Sequence, residues 1–207
     1  MFITFEGIEG SGKSLQARLL VERMQSERIA VIHTREPGGT PLGDHVRELA
    51  LMRSELNTHP IAEALLMCTA RAQLVNAVIQ PALQRNEVVV CDRFADSTLA
   101  YQGFGRELDI QQLQAVISFA TAGLSPDMTI LLDLPVDVGL ARKQAQTAAA
   151  WNRFEQEAVA FHERVRAGYR ELAQGEPTRW RCFDAQKTPD ELLEEIWRSV
   201  AAELRRT

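Results

Sequence analysis

The chain has 207 residues, of which 45% are hydrophobic, 25% charged and 6% aromatic, the balance of a globular protein rather than a disordered or collagen-like one. Its 23 basic residues against 28 acidic ones give a net charge of −5, which argues against a protein that coats nucleic acid or an anionic membrane. Only Lys13, Lys143 and Lys187 are lysines; composition leaves open whether the arginine excess is genomic bias or serves forked recognition of phosphate.

Residues 2–5 form a short apolar run, followed by a Gly-rich turn and a helix from Lys13 to about Glu27, where Leu15, Leu19 and Met24 recur at near-helical spacing. Residues 29–32 read as a buried strand, and Glu36-Pro37-Gly38-Gly39 as a loop. Helices are expected over 42–53 and 60–85, a third strand over 88–91 ending at Asp92, and a helix over 110–120. Residues 128–132 give a fourth strand and 179–183 a weaker fifth. In the last helix Thr188 and Glu191 form a capping box with Pro189 at the first position, and Leu193, Ile196, Val200 and Leu204 line one face. Uninterrupted apolar strands alternating with helices predict a parallel sheet covered on both sides. The expectation is one α/β domain over 1–207, with an insert at 144–152.

The N-terminus, MFITFEG, has no signal-peptide pattern, and no uninterrupted apolar stretch approaches membrane length. Cys68, Cys91 and Cys182 form no CxxC pair, so neither a disulfide framework nor a zinc site is indicated and a reduced, cytoplasmic setting is expected. His33, His45, His59 and His162 show no ligand spacing and read as surface or satisfied polar residues.

Gly7-Ile8-Glu9-Gly10-Ser11-Gly12-Lys13-Ser14 fits G-x-x-x-x-G-K-[ST], between an apolar strand and a helix. Glycines let backbone N–H groups turn toward phosphate oxygens at the positive end of a helix dipole. In such a loop Lys13 reaches the β- and γ-phosphates of a nucleoside triphosphate, and the Ser14 hydroxyl holds Mg²⁺. Asp92, at the end of a strand, is the companion carboxylate on the metal side, through water; a helix N-cap is its alternative reading. A guanine-reading Asn-Lys-x-Asp is absent. Arg35, Arg47, Arg71, Arg93 and Arg106 fall near one sheet edge, which suggests an anion pocket for a phosphorylated acceptor.

Over nearly its full length the chain resembles the bacterial thymidylate kinase family. The resemblance is carried by Phe5-Glu6-Gly7, Thr34-Arg35-Glu36-Pro37-Gly38-Gly39-Thr40, Thr69-Ala70-Arg71, Asp92-Arg93-Phe94 and Ala100-Tyr101-Gln102-Gly103, with Asn152-Arg153-Phe154-Glu155 and Phe183-Asp184-Ala185. It implies a P-loop kinase core with a five-stranded parallel sheet and a short lid at about 142–153. It also implies a homodimer that uses ATP and Mg²⁺ to phosphorylate dTMP. By the same resemblance Glu9 binds the sugar 3′-hydroxyl, while Arg47 and Arg93 clamp the acceptor phosphate. Arg71 bonds a thymine carbonyl, and Thr98, with Ser97 next to it, reads the ring nitrogen. Tyr101 crowds the 2′ position, with Gln102 beside it. Pro37 follows an expected cis bond, Arg142 lies near the adenine, and Asp184-Ala185 back it. A kinase for another nucleoside monophosphate and a non-catalytic ATP-binding module are the alternatives.

Two departures from the family pattern stand out. Gly10 occupies a position where one branch of the family carries an arginine; the other branch supplies that charge from the lid. Here the lid is poor in arginine: Gln144 and Gln146 stand where arginines are common and Asn152 replaces the usual aspartate, which leaves Arg153 as the expected lid catalyst. Met67 aligns with a phenylalanine that stacks on thymine; a thioether covers a ring more loosely, and a plain core position is the other reading.

Overall fold

The computed structural model describes residues 1–52, 56–146 and 157–205. Five strands, β1 (Phe2–Glu6), β2 (Val31–Arg35), β3 (Val88–Asp92), β4 (Met128–Asp133) and β5 (Trp180–Asp184), form one sheet in the order β2-β3-β1-β4-β5. Every pairing is parallel, as uninterrupted apolar strands require when both faces are covered. β1 is buried along its whole length at the centre of the sheet.

The helices are α1 (Lys13–Ser26), α2 (Pro41–Arg47), α3 (Pro60–Leu74), α4 (Gln80–Gln84), α5 (Ala95–Thr98), α6 (Ile110–Thr121), α7 (Val136–Gln146), α8 (Val159–Gly175) and α9 (Pro189–Leu204). π-helical turns over Glu48–Met52, Val75–Ile79 and Leu99–Gly105 continue α2, α3 and α5. The helix expected over 42–53 is therefore α2 plus a π turn, and the one over 60–85 is α3, a π turn and α4 in sequence. β2 begins two residues later than expected. Arg28 adopts a left-handed φ of 59° and the Ile29 N–H still bonds Met24 O at 2.9 Å, so residue 29 closes the end of α1. The capping box of α9 is formed. Of the expected insert, residues 144–146 are helical at the end of α7, and the remainder lies outside the described residues.

Sequence reading missed α7 and α8. In α8, Phe161, Val165, Tyr169 and Ala173 are buried at four-residue intervals, the helical stripe that identifies it. The run Pro60–Gln84, 25 residues with mean hydropathy 1.2, is long and apolar enough to cross a membrane by length and composition, which the search for an uninterrupted apolar stretch passed over. It carries the fully buried Glu63 and Arg71 and packs on α2 and α6, as a core helix does.

One apolar cluster joins Ile3, Phe5, Ile130 and Leu132 to Leu20, Met24, Ile196 and Val200; another joins Phe2, Val89 and Cys91 to Leu74 and Ile79. The register pairs Phe5 with Asp92 and Arg35 with Asp92. The loops leaving β1, β2 and β3 therefore emerge side by side at the carboxyl edge of the sheet, where open α/β sheets bind ligands. Asp96, in the segment after β3, is held by Arg179 at 2.6 and 3.0 Å.

Candidate active site

Residues 7–14 wrap the carboxyl end of β1 and enter α1 through Gly12, whose φ of 88° favours glycine. Gly10 is constrained differently. A β-carbon there would lie 2.1 Å from the main-chain oxygen of Gly139, because the backbone of α7 packs directly on the loop. Ile8 and Ser11 are buried behind it. Lys13 Nζ folds back to donate to Ile8 O at 2.6 Å and Ser11 Oγ at 3.2 Å. Burial and then the neighbouring Arg93 lower its pKa to about 7.

Ser14 Oγ donates to Asp92 Oδ2, while Asp92 Oδ1 is buried without a hydrogen-bond partner. A hydroxyl and a carboxylate with a spare oxygen, both facing the cleft, are the hard oxygen donors that suit Mg²⁺. Among the described residues no group of three or more His, Cys, Asp or Glu could cage a metal. The ion would thus depend on water and phosphate oxygens for its other ligands.

Arg93 turns the chain out of β3 with a left-handed φ of 69°. Its Nη1 donates to Gly7 O, Ser97 Oγ and Tyr169 OH, each at 3.2 Å. Its Nη2 donates to Glu9 Oε1 at 3.2 Å and Tyr101 OH at 3.1 Å. Glu6 organises this turn from below: its carboxylate accepts from Phe94 N at 2.8 Å, Ser97 Oγ at 2.5 Å and Tyr169 OH at 2.8 Å. Burial, then Asp96, push Glu6 up to about 7 against the pull of Arg93. Glu9 shows the opposite outcome. Burial acts to raise it, but His162, Arg93, Lys13 and the Tyr101 hydroxyl at 2.6 Å together hold it at about 2. His162 is buried with Nδ1 3.4 Å from Glu9 Oε2, so of the two readings of the histidines the surface one fails for this residue.

At the other end of the cleft Arg71, 2% exposed, forms an ion pair with Glu36 at 2.7 Å and donates to Phe94 O at 3.1 Å and Thr98 Oγ1 at 3.0 Å. The Glu36–Pro37 bond is cis, as expected, and Pro37 O accepts from Arg47 at 3.1 Å. Met67 belongs to the main core cluster and also lines the cleft. Gln102 Nε2 donates to Glu63 Oε1 at 2.8 Å.

These groups line one cleft of about 460 Å³, within the range of small-ligand sites. Glu9, Gly10, Gly12, Lys13, Ser14 and Asp92 stand at one side. Pro37, Arg47, Met67, Arg71, Arg93, Ser97, Thr98, Tyr101 and Gln102 complete it. Arg35 and Lys143 line it as well. Arg106 does not belong to the anion pocket expected of it, because it pairs with Glu157 at 2.6 Å and Glu63 at 3.4 Å. Arg142 donates to Ala185 O at 2.8 Å, beside Asp184, whose carboxylate accepts from Gln186 N at 2.9 Å; this group lies outside the cleft lining. Arg153 lies outside the described residues. Sequence reading missed Glu6, His162 and Tyr169; the four-residue stripe of α8 is the pattern that finds the last of them.

A family model described as thymidylate kinase matches residues 5–196. Over 205 residues the chain is 50% identical to the thymidylate kinase of Thermomicrobium roseum, covering 99% of this chain and 96% of that one. It is 47% identical over 206 residues to the thymidylate kinase of Roseiflexus sp. (strain RS-1), with coverage of 95% and 91%. Among solved structures, the thymidylate kinase of Ehrlichia chaffeensis superposes with a TM-score of 0.78 at 31% identity, covering 97% of this chain and 98% of that one.

Proposed function

The chain belongs to the thymidylate kinase family, and we infer from that membership and from its cleft that it transfers the γ-phosphate of ATP to dTMP, giving dTDP and ADP. The observation that carries the reading is the arrangement around Arg93. One guanidinium touches the phosphate loop at Gly7 and the carboxylate of Glu9, so donor phosphates and acceptor meet at the same cation.

The acceptor is a phosphate monoester whose second pKa is about 6, so it is largely dianionic near neutrality and needs no general base. The barrier is repulsion and misalignment of two polyanions, which positive charge and in-line positioning overcome. Lys13 leaves Ile8 O and Ser11 Oγ for the donor phosphates. Arg47 and Arg93 hold the acceptor phosphate, with Arg93 nearer the transferring group. Glu9 receives the 3′-hydroxyl and Tyr101 fills the space of a 2′-hydroxyl. Pro37, Met67, Arg71, Ser97, Thr98 and Gln102 enclose the base. The Ser14 hydroxyl, and Asp92 through water, would hold Mg²⁺, which would supply charge neutralisation to the transferring phosphates. Arg142 and Asp184-Ala185 serve the adenine.

Residues 1–207 act as one domain whose lid, about 142–153, excludes water and brings Arg153 to the phosphates. The functional unit is a homodimer in the cytoplasm, supported for the dimer by the exposed apolar side chains Leu42, Ile61 and Leu65 on the packed pair α2 and α3 and Leu49 on the π turn that continues α2. The deciding experiment is a coupled ADP assay with ATP and, in turn, dTMP, dUMP, UMP, CMP, AMP and GMP. The reading requires ADP release that depends on dTMP and exceeds that with the other five.

A further inference from the structure

The base end of the cleft contains two groups of opposite hydrogen-bonding character. Arg71 only donates, and its guanidinium is fixed by Glu36 and Phe94 O. Gln102 could either donate or accept, because an amide can be turned over; its orientation is dictated by its hydrogen-bond network. Glu63 settles that choice. Its side chain is 0% exposed on α3 and accepts from Gln102 Nε2 at 2.8 Å. Arg106 reaches both oxygens of the same carboxylate, with Nε 3.5 Å from Oε1 and Nη2 3.4 Å from Oε2. An ionised carboxylate accepts and cannot donate, so turning the amide over would set Gln102 Oε1 against Glu63 oxygen, two acceptors face to face in a dry site. With Nε2 engaged, Oε1 is the end of the amide left for a ligand.

A pyrimidine carrying N3–H beside a C4 carbonyl presents a donor next to an acceptor. Cytosine inverts both, with a lone pair at N3 and an amino group at C4. An acceptor from Gln102 and a donor from Arg71 match the first edge and oppose the second. We propose that Glu63 is a positioning residue that fixes the Gln102 amide with its oxygen toward the base, and that it thereby sets the preference for thymine or uracil over cytosine. The proposal rests on the kinase reading above and adds to it a residue that touches neither substrate.

The test measures kcat/KM for dTMP and dCMP in wild type, Glu63→Gln, Gln102→Leu and the double variant. In Glu63→Gln the acceptor-only partner is lost, so nothing fixes the Gln102 amide, which turns over and shows nitrogen to the base in part of the molecules. The dTMP-to-dCMP ratio should fall about tenfold or more, as expected when a site built to match a polar edge loses that match, with the loss falling on KM for dTMP more than on kcat. In the Gln102→Leu background the change at 63 should leave the ratio as it was. Because both substrates are measured on one preparation, the ratio is independent of the folded fraction. An unchanged ratio in Glu63→Gln, or an equal fall in both backgrounds, overturns the proposal. If Glu63→Gln does not fold, Gln102→Leu alone must lower the ratio and Glu63→Asp must keep it; either result going the other way refutes it. Wild type that releases no ADP with dTMP defeats the kinase reading itself, a result distinct from these.

Discussion

Arg93 Nη1 donates to the main-chain oxygen of Gly7 at 3.2 Å, which ties the turn after β3 to the first residue of the phosphate loop. A lysine at 93 keeps the charge but lacks the fork that reaches Gly7, Ser97, Tyr169, Glu9 and Tyr101 together. Arg93→Lys should lower kcat by about 10²–10³-fold, the usual cost of removing a preorganised donor at a developing charge. Steady-state ADP release measures it, and near-wild-type turnover would remove Arg93 from the transfer step.

Burial and Arg93 lower the Lys13 pKa to about 7, so above that pH its charge is incomplete before triphosphate binds. Anion binding favours the ammonium form, and ATP binding at pH 8 should therefore take up protons from buffer. Calorimetric titrations in two buffers of different ionisation enthalpy report the uptake as a difference in apparent heat. Identical heats would contradict the lowered value.

Glu6 carries a pH signature of its own. Its carboxyl stands at about 7 in the fold against the usual 4.5. Between those values the native state holds a proton that the unfolded chain has lost, so stability falls as pH rises through that window and stays reduced above 7. Glu6→Gln removes the titration. The wild-type unfolding free energy should drop from pH 5 to pH 8 by an amount of order 3 kcal/mol more than that of the variant. Urea denaturation at both values is the check, and parallel pH dependences would refute it.

Arg153 enters through the sequence alone. If it is the lid cation, Arg153→Ala lowers kcat far more than it raises KM for dTMP, because the contact is made only in the transition state. An unchanged kcat would sink the assignment.

Met67 lines the cleft from α3. Met67→Phe offers the base a flat ring in place of a thioether, a gain of roughly 0.5–1.5 kcal/mol where aromatic groups stack. Titration should show tighter dTMP binding; equal or weaker binding would mean that the ring cannot reach its place.

The phosphate loop, the parallel sheet and Asp92 were legible because each leaves a local mark: glycines at fixed spacing, apolar runs, or an acid after a strand; the acceptor side of the cleft was reached through the family resemblance. The supporting shell left none. Glu6 reads as one polar residue closing an apolar strand, and nothing local announces that it gathers Phe94 N, Ser97 and Tyr169. His162 and Tyr169 come from a helix whose stripe starts after the lid segment, and their partners lie 153 and 163 positions away in Glu9 and Glu6. The late start of β2 is instead a local capping effect: Ile29 has strand composition, but its N–H closes the end of α1 on Met24 O. Arg106 was misplaced because an arginine near the right edge carries no sign of the acids, Glu63 and Glu157, that claim it.

The backbone contact between Gly10 and Gly139 limits how this enzyme could change type. Placing an arginine in the phosphate loop looks like a single-codon exchange at position 10. Here any side chain at 10 collides with the main chain of α7, and shortening residue 139 gives no relief, since it is already glycine. The exchange needs the first turns of α7 to withdraw from the loop. For this chain the bar to a loop arginine therefore lies in the backbone of α7 and not in one codon, so where such an arginine can stand is a property of the scaffold.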